Sequence, residues 1–394
     1  MDPLFVAAPY TGYVYPNETV FPWGLMIVIY PYLTGLVAGA FTVSSLYQVF
    51  GLQRLRPVAH FALLTSLCCM IFVPVPLLLH LGHPERAFNA VITPHWSSAM
   101  AMFGFFAGFY VILLIIETWF VFRPYMVQQA QHRKDLLGRL YHVMCLGSYD
   151  LSDKAMRYDR KWIFALAILG IPGAHGLHGY VGFLFGSLKS REWWSSDLMP
   201  VIFLFSAIIS GVALLIVLYV LSCKLRRVAI DAGCVKGLGY TLWGFMMFAL
   251  LLELVEFGSL VYKGREGIDM IMQFISTQLL VPFFILQIGI GAATPILILS
   301  YLFWRGTTGR ALVAGIMLSA LLELFSVLMM RFNVVIGGQE IAKTGTGLLT
   351  FPWEIFGREG ILASGAVLIA PFLLLLVTVR ILPPWHDSPA AAAH

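Results

Sequence analysis

Nine stretches of this chain are long and apolar enough to cross a bilayer, near 22–49, 58–80, 96–122, 161–187, 198–223, 240–262, 270–304, 310–331 and 359–381. Hydrocarbon about 30 Å thick takes about 20 apolar residues in a helix. It offers no partner to a free backbone amide, so each stretch is expected to be helical. A β-barrel would need alternating segments of about ten residues, a pattern the sequence does not carry. Composition agrees: 11% of residues are charged and mean hydropathy is +0.85, where a soluble domain carries about 25% charge. The expected fold class is an all-α polytopic membrane protein. The five cysteines show no CxxC or CxxCH spacing, so no iron–sulfur cluster, structural zinc or covalent haem is expected in this chain.

The few charges set a direction. With the N-terminus outside, 17 of the 25 Lys and Arg fall on inner segments and 8 on outer ones. That asymmetry favours N-terminus out and C-terminus in. The net charge of +5 is then topological, and no nucleic acid is implied. The expected organisation is an outer segment 1–21 with no cleavable signal peptide, a four-helix bundle over 22–187 and a second over 198–331. An outer loop 332–358, an additional helix 359–381 and a disordered tail 382–394 follow. The first bundle contains a hydrophilic inner loop, 123–161, too short for a domain of its own. The over-long seventh stretch carries Pro282, Gly289, Gly291 and Pro295 and is expected to be tilted or kinked. Trp96-Ser97-Ser98 and Trp194-Ser195-Ser196 each precede a span, where serine caps a helix and tryptophan anchors at headgroups.

Polar groups inside spans are costly and are candidates for function. They gather toward the outer side. His80, His83, Glu85, Arg86, Asn89 and His95 lie at the end of span 2 and beyond it. His175 and His178 lie in the outer half of span 4, Glu253 and Glu256 in that of span 6, and Glu323 in that of span 8, with Arg331, Asn333 and Gln339 at its end. Plainer readings exist. His80 and His83 can be solvated at the headgroups, and His175 and His178 can bond to backbone among the glycines of their helix. Glu253 or Glu256 can pair with Arg331, and Glu117 can snorkel from span 3 to the inner interface.

An outward pocket of His, Glu, Arg and Asn with aromatic and Met walls suits a quinone headgroup. Its two carbonyl oxygens accept hydrogen bonds, and its two-electron reduction takes up two protons that His and Glu can relay. The candidate site is His80, His83, Arg86, Asn89, His175, His178, Glu253, Glu256, Arg331, Asn333 and Gln339, with Glu117, Gln287 and Glu323 as stations of an inward proton path. Electrons would come from a partner subunit. Two rivals are a haem-binding cytochrome b-type anchor, which wants opposed histidine pairs, and a secondary transporter, which the breaks in span 7 would suit.

At these residues a family resemblance enters. The run Leu81-Gly82-His83-Pro84-Glu85-Arg86-Ala87-Phe88 resembles the DLGxPxRF segment of NrfD/PsrC-like membrane subunits of polysulfide-reductase type. Thr93-Pro94 and Ser98-Ala99-Met100 resemble the opening of that family's next helix. His175, 194–200 and 203–211 resemble its middle block. The segments 253–262, 331–339 and Pro352-Trp353-Glu354 resemble the later blocks of longer members. His80 stands where many members carry aspartate, and nine spans differ from the usual eight or ten. The resemblance implies a haem-free anchor that reacts with menaquinone or ubiquinone in a bacterial or archaeal cytoplasmic membrane. It also implies docking to an extracytoplasmic ferredoxin-like iron–sulfur subunit, which serves a molybdopterin enzyme, a hydrogenase or a multihaem cytochrome.

Overall fold

The computed structural model describes residues 5–7, 20–191, 193–263, 268–343 and 347–385. Most of the 1–21 segment and the tail beyond Trp385 lie outside the described residues. Among those described, nine helices are long and apolar enough to span a membrane. They are α1 (Leu25–Gln48), α2 (Gln53–His80), α3 (Ala99–His132), α5 (Asp153–Gly186), α6 (Met199–Arg226), α7 (Ala232–Lys263), α9 (Leu280–Trp304), α10 (Gly309–Phe332) and α11 (Ile361–Ile381). Two short helices, α4 (Leu136–Met144) and α8 (Ile268–Thr277), lie between spans. Strands β1 (Phe5–Ala7) and β2 (Gly347–Leu349) form one antiparallel ladder, Phe5 opposite Leu349. We call the face where α1 begins proximal and the opposite face distal. The chain is a multi-pass membrane protein, and its outward-facing side chains, such as Ile112, Leu251 and Leu373, are exposed and apolar, as hydrocarbon requires.

α1 is the hub. It packs against α2, α5, α6 and α10 and is buried almost all round. Gly39 of α1 and Gly211 of α6 meet where these helices cross, and a Cβ on either would fall within the other's backbone. Close approach of this kind lets helices associate without a hydrophobic driving force.

Three segments depart from expectation. The 123–161 stretch is mostly helix: α3 runs on to His132, α4 folds back, and α5 begins at Asp153. Its charges are not all loop charges. Arg123 donates from Nε and Nη2 to Asp159 Oδ2 at 2.8 and 2.5 Å, and from Nη1 to Asp150 O at 2.8 Å and Ser148 Oγ at 3.3 Å. Paired between two helices, both charges are buried and neither interrupts its helix. Beyond this corner, the Ser152 backbone N–H and then its hydroxyl hold the exposed Asp150 carboxyl below its ordinary pKa.

Span 7 is not one long helix. α8 stops at Thr277 and α9 restarts at Leu280, winding as a π-helix to Ala293 before becoming α-helical. Pro282 has no N–H to give and so sits near a helix start, and the Ser326 hydroxyl donates to Gln287 O at 3.1 Å inside the widened turns. A side chain inserted in this way is a recognised cause of irregular winding. At the other end of α10 the helix continues through a π-turn, Asn333–Gly337, to Glu340, where a loop was expected. Its terminal carbonyls find donors: Trp194 Nε1 reaches Val334 O at 2.5 Å and Arg191 Nη1 reaches Ile341 O at 3.0 Å. The two Trp-Ser-Ser motifs therefore differ. Trp96 is exposed, whereas Trp194 is buried and stacks on Trp23 at 5.0 Å. Ser196 Oγ accepts from Leu198 N at 3.1 Å, while Ser98 makes no capping bond.

Candidate functional site

A cleft opens on the proximal half between the start of α6, the end of α7, the π-helical part of α9 and the end of α10. Its walls are aromatic and aliphatic, with Trp193, Met199, Phe257, Phe283 and Met330 among them, and its polar lining is Ser195, Glu253, Glu256, Gln287 and Asn333. Three of these form a directed chain. Asn333 Nδ2 donates to Gln287 Oε1 at 2.8 Å and to Pro282 O at 3.1 Å. Gln287 Nε2 donates to Glu253 Oε2 at 3.2 Å. With both amide hydrogens of Asn333 committed, its Oδ1 is left buried and unpartnered in the cleft wall. That atom can only accept.

Glu253 also belongs to the wall of a second, smaller cavity, together with Ser206, Glu323 and Ser326. Glu323 is buried and its Oε2 has no partner. The two carboxyls thus border one space, with Glu253 facing the cleft as well.

Behind Ser206 lies a buried cation. Arg331, fully buried, donates from Nη2 to Ser206 Oγ at 2.5 Å and to His178 Nε2 at 3.0 Å, with its guanidinium carbon 3.9 Å from the Phe203 ring centre. A guanidinium has only donors, so Nε2 of His178 must be the accepting nitrogen and Nδ1 carries the hydrogen. Nδ1 lies 3.0 Å from Thr34 Oγ1, whose own hydrogen goes to the carbonyls of Pro31 and Tyr30. The tautomer follows from this network. Among the described residues no carboxylate lies within ion-pair distance of Arg331, so the suggested pairing with Glu253 or Glu256 is not made. His175 turns back to its own helix, with Nδ1 2.8 Å from Ile171 O.

The remaining sequence candidates lie elsewhere. His80 Nδ1 is 2.9 Å from Glu359 Oε1, and Arg358 donates to the carbonyls of Leu79 and Leu81, which latches the start of α11 to the end of α2. His83 pairs with Glu85 at 2.9 Å, both largely exposed. Arg86 and Asn89 are exposed, in the short helical turns Pro84–Arg86 and Asn89–Ile92 that follow, and none of these four lines either cavity. Gln339 clamps Trp23, accepting from its N–H at 2.9 Å while its amide donates to Trp23 O at 2.9 Å. Glu117 does not snorkel: it is fully buried in α3, apart from the Gln287 chain. Sequence reasoning missed Ser206 and Thr34, and it expected aromatic and Met walls without naming their residues. Ser206 and Ser210 do mark one face of an otherwise apolar span, a signal that was there to find. Among the described residues no three His, Cys, Asp or Glu side chains gather as a metal site.

The profile of the NrfD polysulphide reductase family matches residues 15–342. A selenate reductase subunit of Mesobacillus selenatarsenatis is 32% identical over 80% of this chain and 73% of its own length. A putative dimethyl sulfoxide reductase membrane subunit of Halobacterium salinarum is 27% identical over 95% and 86%. The Hdr-like menaquinol oxidoreductase integral membrane subunit of Archaeoglobus fulgidus is 25% identical over 81% and 71%.

Proposed function

The chain belongs to the NrfD polysulphide reductase family, and from that premise we propose that it is the quinone-reactive membrane subunit of a respiratory oxidoreductase complex. It exchanges electrons between a membrane quinone and an iron–sulfur subunit docked on the proximal face, which the charge distribution turns outward. A catalytic subunit beyond that one acts on the terminal substrate. The observation that carries this reading is the cleft: apolar and aromatic over most of its wall, and polar at one end through Asn333, Gln287 and Glu253. Relatives named as subunits of selenate and dimethyl sulfoxide reductases support the assembly. The relative named for menaquinol favours menaquinone over ubiquinone as the substrate.

In this reading Asn333 Oδ1 accepts a quinol hydroxyl and orients the headgroup. Glu253 receives a proton at the oxygen that Gln287 leaves free, and Glu323 takes it onward across the shared cavity. Arg331, one hydroxyl away through Ser206, supplies positive potential without occupying the cleft, and His178 holds the guanidinium in place. His80, His83, Arg86 and Asn89 belong to the rim where the partner docks. The haem-anchor rival fits less well, since His178 Nε2 already faces a guanidinium.

The test is binding of a fluorescent quinol-analogue inhibitor to the purified complex, together with quinol-linked turnover, in Asn333→Leu and Glu253→Gln. Both variants are expected to assemble. Asn333→Leu should weaken inhibitor binding at least about tenfold, the equivalent of one lost hydrogen bond of about 1.4 kcal/mol. Glu253→Gln should slow turnover more than it weakens binding. Wild-type values in both variants would refute the assignment.

A further inference from the structure

A second group of buried polar side chains lies in the distal half of the molecule, in helices that do not border the cleft. Glu117 of α3 is fully buried, and neither of its carboxyl oxygens has a hydrogen-bond partner. The same holds for the hydroxyls of Ser44 and Thr118 and for both amide atoms of Gln48. Two aromatic contacts bracket these groups. On the proximal side Phe41 of α1 meets Tyr110 of α3, ring centres 5.7 Å apart. On the distal side the His60 ring of α2 lies between Tyr47 of α1 and Phe122 of α3, at 6.4 and 6.0 Å. Both α1 and α3 run from the proximal to the distal face. Ser44 therefore falls between the brackets on α1, Gln48 at their distal edge, and Glu117 and Thr118 between them on α3. Tyr110, whose hydroxyl is also buried and unpartnered, closes the layer above.

A carboxylate at hydrocarbon depth with no donor is untenable, and buried polar atoms without protein partners are satisfied by water. We propose that Glu117, with Ser44, Gln48 and Thr118, forms a hydrated proton-exchange site in the distal half of the first helices, separate from the cleft at Glu253. Its carboxyl holds a proton and is hydrogen-bonded through water to the amide and hydroxyls at its depth. It gives the O–H proton to a neighbouring water and regains one from another, so the site's ligand is the proton carried by water. Half-buried His60 stands between this layer and the distal face. Tyr47, His60 and Tyr110 are the titratable members of the bracketing ring contacts, His175 Nε2 lies 3.5 Å from Thr42 Oγ1 of α1, and Arg123 on α3 is turned away to Asp159. The proposal goes beyond the quinone reading and does not depend on it, since Gln287 and Glu253 lie in other helices.

Infrared difference spectroscopy of the full-length protein in nanodiscs tests it. The wild-type minus Glu117→Gln spectrum should contain one protonated-carboxyl C=O band that shifts down when the sample is moved to D2O. In Ser44→Val and Gln48→Leu, which keep Glu117 and lose its solvating neighbours, the band should rise in frequency and exchange at least tenfold more slowly. Absence of the Glu117 band would overturn the proposal. So would a band that does not exchange in the wild type, or one unchanged in frequency and exchange rate in both neighbour variants.

Discussion

Removing Asp159 should open the distal corner of α3 and α5 by an amount that the geometry fixes. Arg123 makes two charge-assisted bonds to one carboxylate oxygen and two neutral-acceptor bonds to Asp150 O and Ser148 Oγ. Both ionic side chains are almost fully buried, at 2% and 6% exposure. Breaking a buried pair from one side leaves an uncompensated charge and costs about 3–5 kcal/mol, whereas replacing both partners by apolar groups of similar volume is close to neutral. Cys145 reports the opening. It is fully buried, and its carbonyl accepts from Ser148 N at 2.9 Å, in the turn that Arg123 holds through the Ser148 hydroxyl. In a background retaining Cys145 alone, a water-soluble thiol reagent should label Asp159→Ala roughly two to three and a half orders of magnitude faster than the parent, at about 1.4 kcal/mol per tenfold. The Arg123→Met, Asp159→Leu double variant should label within about tenfold of the parent. A single variant accelerated less than tenfold, or a double variant as fast as the single, would refute the uncompensated-charge explanation.

Three further outcomes follow from other contacts. Gly39→Leu or Gly211→Leu places side-chain atoms where the facing backbone stands, so neither should accumulate as folded protein, while Gly108→Ala on the open side of α3 should; immunoblots of solubilised membranes decide. Gln339→Ala removes three hydrogen bonds that tie Trp23 and Val335. It should lower stability in SDS titrations by about 2 kcal/mol with inhibitor affinity in the cleft unchanged, and a change of affinity alone would contradict its role as a clamp. For the orientation, a membrane-impermeant thiol reagent added outside intact cells should label Lys189→Cys, and should label Lys154→Cys only after permeabilisation; the reverse pattern would invert the topology.

The spans were legible because a long apolar run in a chain with so little charge has one structural solution. Their ends were less so. The charges at 123–161 look like a solvated loop until Arg123 and Asp159 are seen to neutralise each other across two helices, a pairing between residues 36 positions apart. Proline and glycine announced a break in span 7, but the winding of α9 also depends on Ser326, which belongs to another helix. At the candidate site, residues of the same chemical kind parted company. Glu253, Gln287 and Asn333 converge from three helices, whereas His80 and His83, close in sequence, turn to carboxylates in different places. Ser206 and Thr34 escaped notice because a hydroxyl in a membrane helix ordinarily bonds its own backbone, and only the third dimension shows which of them also meets a guanidinium or an imidazole.

The burial of α1 also bears on how the protein is made. α1 leaves the ribosome before the helices that surround it, and the flank that α10 covers stays without its protein neighbour until residue 309 and beyond have been synthesised. At about 5–20 residues per second that delay is roughly 15–50 s. Through that time α1 must stand in lipid on its own side chains, and Met26, Leu33, Leu36 and Val37 make that possible. Its hydroxyl at Thr34 is already satisfied by the helix's own carbonyls, before His178 exists to bond it. Biogenesis is therefore a wait by a finished helix for its late partners, and a chain cut short before α10 would leave its hub in the bilayer with one side bare.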